Sequence, residues 1–209
     1  CKQAVQGVVG GMNTVQQLVD KYYTSNDYNM LRDKSKKDYQ YFLAVMCDSF
    51  GDVNFDKLTS KQAKHAYEEW VVRGISFANH ICTVSSIVYR YAIDMEYTDI
   101  NPFASVRRKT PPQRKVVWTD DDVRQFLDTA YSQFEWRSLG LIVHMAYDWC
   151  QRLGDMRLLT WDNFDFANRK LFLEQSKRRA QVTLPIEDDL YDMLIHQEQD
   201  FGFHQYVVP

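Results

Sequence analysis

The spacing of apolar residues constrains the fold of this chain most strongly. Between Asn13 and Met95, apolar residues recur three and four positions apart in four separate stretches. Asn101-Pro102 ends this run, because the residue before a proline is pushed away from helical backbone angles. The pattern predicts a compact bundle of four amphipathic helices. The helix starts are expected at Asn13 or Thr14, at Asp33 or Ser35, at Thr59, and at Ser76.

The second half of the chain changes from a helical period to an alternating one. Thr119 is expected to cap a helix, and the run from Leu139 to Cys150 forms an apolar helix. From Phe164 to Ile186 the apolar residues alternate in three short runs, and a last helix is expected from Asp188 to Gln199. This order predicts an α+β domain with a three-stranded antiparallel sheet.

The stretch from Ser105 to Val117 joins these two parts. It surrounds Pro111-Pro112 with arginines and lysines and has few apolar residues. A stretch of this composition is typical of an interdomain linker stiffened by proline. Two interpretations remain open: a solvated tether, or a basic segment that lies along a nucleic-acid backbone.

Charge and cysteine content limit the functional class. The net charge is −3 and the sequence pI is about 6.0, which argues against an indiscriminate polyanion binder, so any nucleic-acid surface must be local. The longest apolar run is too short and too polar to span a bilayer, and no signal-peptide pattern begins the chain. The cysteines lack ligand-like spacing, and those at Cys47, Cys82 and Cys150 are expected as buried free thiols in a reducing compartment.

Three residues carry the candidate chemistry. Arg152 follows the apolar helix, Asp155 lies three residues later, and Lys177 occupies a Ser-Lys-Arg-Arg turn between two predicted strands. Arginine offers a planar fork for phosphate, and lysine offers a point charge that can release a proton. Without further context, an arginine beside a short helix is more often a surface or capping residue, and the alternative for Lys177 is an ordinary solvated hairpin turn.

The order of these segments resembles the tyrosine recombinases, particularly the phage-type integrases. Arg152-Leu153-Gly154-Asp155-Met156 is similar to the first catalytic box of that family. Gln175-Ser176-Lys177 looks like the hairpin that carries the catalytic lysine. No single motif is specific, but their order and spacing together cover nearly the whole chain.

The resemblance implies a domain plan and a function. Residues 12–104 would form a four-helix, SAM-like core-binding domain that binds DNA. Residues 105–117 would be a basic linker, and residues 118–209 the N-terminal part of the catalytic domain. The implied function is site-specific DNA recombination, in integration and excision. The implied partners are duplex DNA with attachment-type sites and further copies of the full-length protein, as a tetramer, with no cofactor, metal or membrane. The implied location is cytoplasmic, in a bacterial host cell or associated with the nucleoid.

The resemblance also assigns roles to residues. Arg152 and Lys177 would be catalytic, and Asp155 would support them by bracing the guanidinium or capping the short helix. Arg178 competes with Lys177 for the general-acid role. Residues expected to contact DNA are Lys36, Lys37, Arg107, Arg108, Lys109, Arg114, Lys115, Arg178 and Arg179. For the lysines near residue 36, a solvated helix start is an equal alternative.

Two departures from the family pattern bear on function. Trp149 and Cys150 stand where the family usually has Thr-Gly. The second box, His-x-x-Arg, and the tyrosine nucleophile are not found, since His196 precedes Gln199 and His204 precedes Val207 at that spacing. These 209 residues are therefore expected to be a fragment that is inactive alone. The alternatives are a DNA-binding module that occupies recombination sites without catalysis, and a helical protein-interaction domain with an unrelated neighbour.

Overall fold

The computed structural model describes residues 12–113, 115–177 and 179–209. The chain forms two compact units, Cys1–Gln113 and Arg114–Pro209. Within the described residues, no helix has the length and apolar character needed to cross a membrane. The mainly helical fold with a small antiparallel sheet that the sequence predicts is confirmed.

The first unit is a helical bundle around one apolar core. Its helices are α1 (Val15–Tyr23), α2 (Asn26–Asn29), α3 (Asp33–Phe50), α4 (Ser60–Val71) and α5 (Ile75–Asp94), with a 3₁₀ turn at Phe55–Lys57. Large aromatic side chains fill the centre, among them Tyr22, Tyr67, Tyr89 and Phe103. The stripes predicted from the sequence are the faces that pack into this core.

Local capping sets most helix starts in this unit. The hydroxyls of Thr14 and Thr59 each accept a hydrogen bond from the backbone N–H three residues on. The glutamine at that third position completes a capping box, because its side-chain oxygen accepts from the backbone N–H of the threonine. The expected start at Ser76 is wrong, because α5 begins at Ile75 with Gly74 as its N-cap. Gly74 has φ of 133°. Glycine alone adopts such an angle without strain, so the chain enters the helix two residues earlier than a serine cap would allow.

The second unit combines helices with a small sheet. Its helices are α6 (Asp120–Tyr131), α7 (Phe134–Asp148), α8 (Leu153–Met156) and α9 (Asp188–Phe201). The strands are β1 (Phe164–Asp165), β2 (Lys170–Glu174) and β3 (Gln181–Pro185), paired antiparallel in that order. The β2–β3 register runs from Lys170 opposite Pro185 to Glu174 opposite Gln181. Leu171 and Leu173 therefore face the core.

Two contacts hold this unit together in ways the apolar pattern does not indicate. A Cβ on Gly140 would lie 2.9 Å from the side chains of Ala130 and Tyr131, so the close approach of α6 and α7 requires glycine there. After α9 the chain turns back, and Val207 becomes fully buried. The buried Gln197 Nε2 donates to the Val207 carbonyl over 2.9 Å, which satisfies a polar group inside the core.

Candidate functional site

The end of α7 delivers the candidate arginine. Cys150 donates its N–H to the Tyr147 carbonyl over 3.3 Å, and Gln151 donates to the Ala146 carbonyl over 3.2 Å. This pair of bonds is a Schellman motif, which needs a left-handed residue after the helix. Cys150 fills that place with φ of 49°. Its side chain is exposed rather than buried, so the expected burial of this thiol is wrong: the turn directs it away from the apolar face of α7.

The chain then runs directly from this turn into α8. Trp149 is buried, and its Nε1 donates to the Pro185 carbonyl at the end of β3 over 2.7 Å. Arg152 has extended backbone angles and stands at the N-cap of α8, where its carbonyl accepts from the N–H groups of Asp155 and Met156. The backbone of Arg152 is thus fixed by a helix end on one side and a helix start on the other.

Asp155 lies close to the Arg152 guanidinium. Its Oδ2 is 3.7 Å from Arg152 Nη1. The Asp155 side chain is 3% exposed, whereas that of Arg152 is 46% exposed. No donor among the described residues makes a hydrogen bond to Asp155 Oδ2. The arrangement favours bracing of the guanidinium over capping of the helix, with the buried carboxylate holding an arginine whose outer face is open to solvent.

The β2–β3 hairpin carries Lys177 at its tip. The Gln175 N–H donates to the Ala180 carbonyl over 2.8 Å, and the Arg179 N–H donates to the Gln175 carbonyl over 2.8 Å. These bonds close the loop around Lys177, which is exposed. Arg179 is also exposed and has φ of 52°. Arg178, the competing candidate for the general acid, lies outside the described residues.

A hydrogen bond joins the hairpin to the arginine segment. Gln175 Nε2 donates to Gln151 Oε1 over 2.7 Å, and Gln151 Nε2 donates to the Trp149 carbonyl over 2.8 Å. The structure thus brings the residue before Arg152 to the base of the loop that holds Lys177. No sequence pattern predicts this contact, because glutamine has no fixed partner. The one available signal is that each glutamine lies one or two residues before a candidate cation.

Polar contacts of His144 link α6 to the C-terminal end of α7. His144 accepts or donates a hydrogen bond with Tyr131 Oη over 2.8 Å, and its Nε2 lies 3.3 Å from Asp148 Oδ2. Burial raises the pKa of the Tyr131 hydroxyl, and the Asp148 carboxylate adds to that rise. Burial also raises the pKa of Asp148, against the lowering effect of His144. His144 is thus a buried histidine with polar partners on both ring nitrogens.

The basic segment between the units starts on the surface of the first unit. The Lys109 N–H donates to Tyr67 Oη over 2.7 Å, and its carbonyl accepts from Asn79 Nδ2 over 2.9 Å. The Lys109 ammonium pairs with Glu68. Val106 is buried in the first unit's core. The predicted linker therefore begins packed on the helical unit, and one of its cations already has a protein partner.

The remaining cations expected to contact DNA are placed on two elements. Arg107, Arg108 and Lys115 are exposed in the segment between the units, and Arg114 lies outside the described residues. Lys36 is partly buried and Lys37 exposed in the first turns of α3. These positions leave most of the proposed cations accessible to a phosphate backbone.

The sequence of the second unit matches a known family. Residues 117–205 match the profile of the Phage integrase family. The second unit belongs to that family. A sequence search of functionally curated proteins finds no significant match.

Solved integrase structures share the fold of the chain. The crystal structure of a lambda integrase dimer bound to a COC' core site matches with a TM-score of 0.79 and 19% identity. That match covers 93% of this chain and 57% of the integrase chain. The Tn1549 transposon integrase in complex with a circular intermediate DNA matches with a TM-score of 0.76 and 16% identity. That match covers 90% of this chain and 66% of the other. This chain thus spans less than two thirds of these relatives.

The turn at the end of α7 bears on the first departure from the family pattern. Cys150 stands where the family usually has glycine, and it occupies the left-handed position of the Schellman motif. Glycine adopts this conformation at little cost, whereas other residues are strained there. A glycine would fit this turn without strain, and in this chain the bonds around the turn hold Cys150 there instead.

Proposed function

We propose that this protein carries out site-specific DNA recombination, in integration and excision, by tyrosine recombinase chemistry. The observation that carries the proposal is the hydrogen-bonded junction of the arginine segment and the lysine hairpin. In a unit that matches the phage integrase family, this junction connects the two segments that carry Arg152 and Lys177, which supports the proposal. Such a pair suits the binding of a phosphodiester and the protonation of its leaving oxygen.

The proposed reaction divides the work between these residues. Arg152 holds the non-bridging oxygens of the scissile phosphate as negative charge builds in the pentacovalent transition state, and Asp155 braces its guanidinium. A tyrosine outside these 209 residues loses its phenolic proton and bonds to phosphorus. The bond between phosphorus and the 5′ oxygen breaks, and Lys177 gives that oxygen a proton. The product is a 3′-phosphotyrosyl bond and a free 5′ hydroxyl.

The proposed partners are duplex DNA and further copies of the full-length protein. Solved relatives include a lambda integrase tetramer bound to a Holliday junction. By analogy, we place the helical unit, residues 12–104, on DNA as a core-binding domain. The basic segment at 105–117 would follow the phosphate backbone, and a tetramer would assemble on attachment-type sites.

The test is a covalent trapping experiment. In a DNA substrate nicked beside the cleavage point, cleavage releases the short fragment that carries the free 5′ hydroxyl, so the phosphotyrosyl adduct cannot reverse and migrates slowly on a denaturing gel. The complete protein of this reading frame is expected to form the band. Residues 1–209 are expected to bind the DNA without forming it, and Arg152→Ala in the complete protein is expected to lose it.

Other outcomes change the proposal in defined ways. A band from residues 1–209 would place the nucleophile within this chain. A complete protein that binds recombination sites without any adduct would favour the DNA-binding module without catalysis. If the protein retains no DNA at moderate salt, both the recombinase and the DNA-binding module without catalysis are ruled out.

A further inference from the structure

Gln151 and Gln175 belong to a closed circuit of hydrogen bonds. Gln175 donates to Gln151, and Gln151 donates to the Trp149 carbonyl. Trp149 donates from its indole to the Pro185 carbonyl. The β2–β3 ladder then leads from Pro185 back toward Gln175. The arginine segment is therefore tied to both ends of one hairpin, and both glutamine side chains are partly buried in that contact.

Two hydrogen bonds tie the arginine segment to the hairpin, the Trp149 tie to Pro185 and the Gln151 tie to Gln175, and they lie at different distances from Lys177. The Trp149 tie meets β3 at Pro185, and β3 begins at Gln181. At about 3.3 Å per residue, these two positions are ~13 Å apart. The Gln151 tie meets the chain at Gln175, two residues from Lys177. Without the Gln151 bond, the nearest remaining support on β2 is the buried side chain of Leu173, so the loop beyond that residue can shift.

The backbone at Gln175 transmits this position to Lys177. Its N–H and its carbonyl both make the bonds that close the loop, to Ala180 and Arg179. A shift of Gln175 therefore moves the whole loop base. The Gln151 amide cannot simply rotate to compensate, because its Nε2 is already held by the Trp149 carbonyl.

We propose that Gln151 and Gln175 are positioning residues, which hold the Lys177 hairpin tip beside the Arg152 segment. The proposal rests on the proposed function, in which Lys177 protonates the leaving oxygen. A general acid must lie within hydrogen-bond reach of the atom it protonates, and a displacement of about 1 Å can reduce a rate by about 10²-fold. The glutamine pair acts through Lys177 and does not contact the phosphate.

The experiment uses the complete protein and two DNA substrates, one with the normal 5′-bridging oxygen and one with sulfur in that place. A thiolate leaves without an acid, so a fault confined to Lys177 affects only the oxygen substrate. Gln175→Leu is expected to slow cleavage of the oxygen substrate about 10- to 100-fold and of the sulfur substrate less than about threefold. Gln151→Leu tests the same bond from its other side. Gln181→Leu, an exposed glutamine in the same hairpin, is the matched control and is expected to resemble the parent on both substrates.

A double variant separates positioning from general loss of structure. Adding Gln175→Leu to Lys177→Ala is expected to cause no further loss on the oxygen substrate, because the group being positioned is gone. Equal losses on both substrates, or no loss, would overturn the inference if Lys177→Ala alone is rescued by sulfur. If Lys177→Ala is not rescued, the role proposed for Lys177 fails and the positioning role falls with it. Thermal melting and DNA affinity of each variant identify any failure to fold.

Discussion

At the scale of single residues, the two candidate cations differ in how they are held. Arg152 stands between two helix ends and beside a carboxylate that is almost completely buried. Lys177 lies exposed at the tip of a hairpin, and its position depends on the loop base. A residue that must bind charge in the transition state gains from rigid support, whereas a proton donor needs access to the leaving atom. The local structures match the roles proposed for the two residues.

The sulfur-bridged substrate distinguishes these roles directly. In the complete protein, Lys177→Ala is expected to slow cleavage of normal DNA by roughly 10²–10⁴-fold and to recover most of that loss with sulfur at the bridging position. Arg152→Ala is expected to stay impaired on both substrates, because both need charge stabilisation on the non-bridging oxygens. Single-turnover cleavage rates provide the measurement. Rescue of Arg178→Ala instead of Lys177→Ala would assign the acid to the neighbouring residue.

At the scale of elements, the end of α7 determines where the arginine segment begins. The Schellman motif reverses the chain after Asp148, and Cys150 accepts a left-handed conformation to do so. For residues other than glycine this conformation costs about 1–2 kcal/mol. The two backbone hydrogen bonds of the motif and the burial of Trp149 on the sheet offset this strain.

Replacing Cys150 with glycine should therefore stabilise the protein. Relief of the left-handed strain, less the greater chain entropy of unfolded glycine, predicts a gain of about 0.5–1 kcal/mol for Cys150→Gly. The matched control is Cys150→Ala, which removes the thiol but keeps the strain, and it should show no gain. Thermal melting of residues 1–209 measures both. A glycine variant that melts no higher than the alanine variant would contradict the account of this turn.

At the scale of the whole molecule, the cations of the basic segment at 105–117 differ in whether they already have a carboxylate partner. Lys109, although exposed, is paired with Glu68, whereas the salt bridges among the described residues include none of Arg107, Arg108 and Lys115. A lysine that already has a carboxylate partner neutralises less phosphate charge on binding. The contribution of this segment to DNA affinity should thus come mainly from Arg107, Arg108 and Lys115.

Salt dependence tests this distribution. Each phosphate contact contributes about 0.9 to the slope of log affinity against log salt, so neutralising Arg107, Arg108 and Lys115 together should reduce the slope by about two to three. Lys109→Ala should reduce the slope less than Arg108→Ala does. Equilibrium binding of residues 1–209 to duplex DNA at several salt concentrations measures each slope. An unchanged slope in the triple variant would exclude these residues as backbone contacts.

The features that could be predicted from the amino-acid sequence are those formed by residues within one or two helical turns of each other. The helix starts at Thr14, Thr59 and Thr119 follow from caps that bond three residues ahead, and the strands follow from alternation on a half-buried surface. The start of α5 differs from the predicted one, although it too is a local feature. A serine cap at Ser76 and a glycine with positive φ at Gly74 are both possible helix starts, and the path of the backbone selects the glycine.

The assembly of the candidate site depends on contacts between residues far apart in the sequence. The contact between Gln151 and Gln175 joins residues 24 positions apart, and the bond from Trp149 to Pro185 joins residues 36 apart. Such contacts depend on how α7 packs against the sheet. The sequence around a glutamine or a tryptophan does not indicate which distant residue its side chain will bond to. The burial of Asp155 has the same origin, since its exposure is set by the elements that surround α8. The sequence thus identifies the candidate cations, and packing over long sequence distances decides what holds them in place.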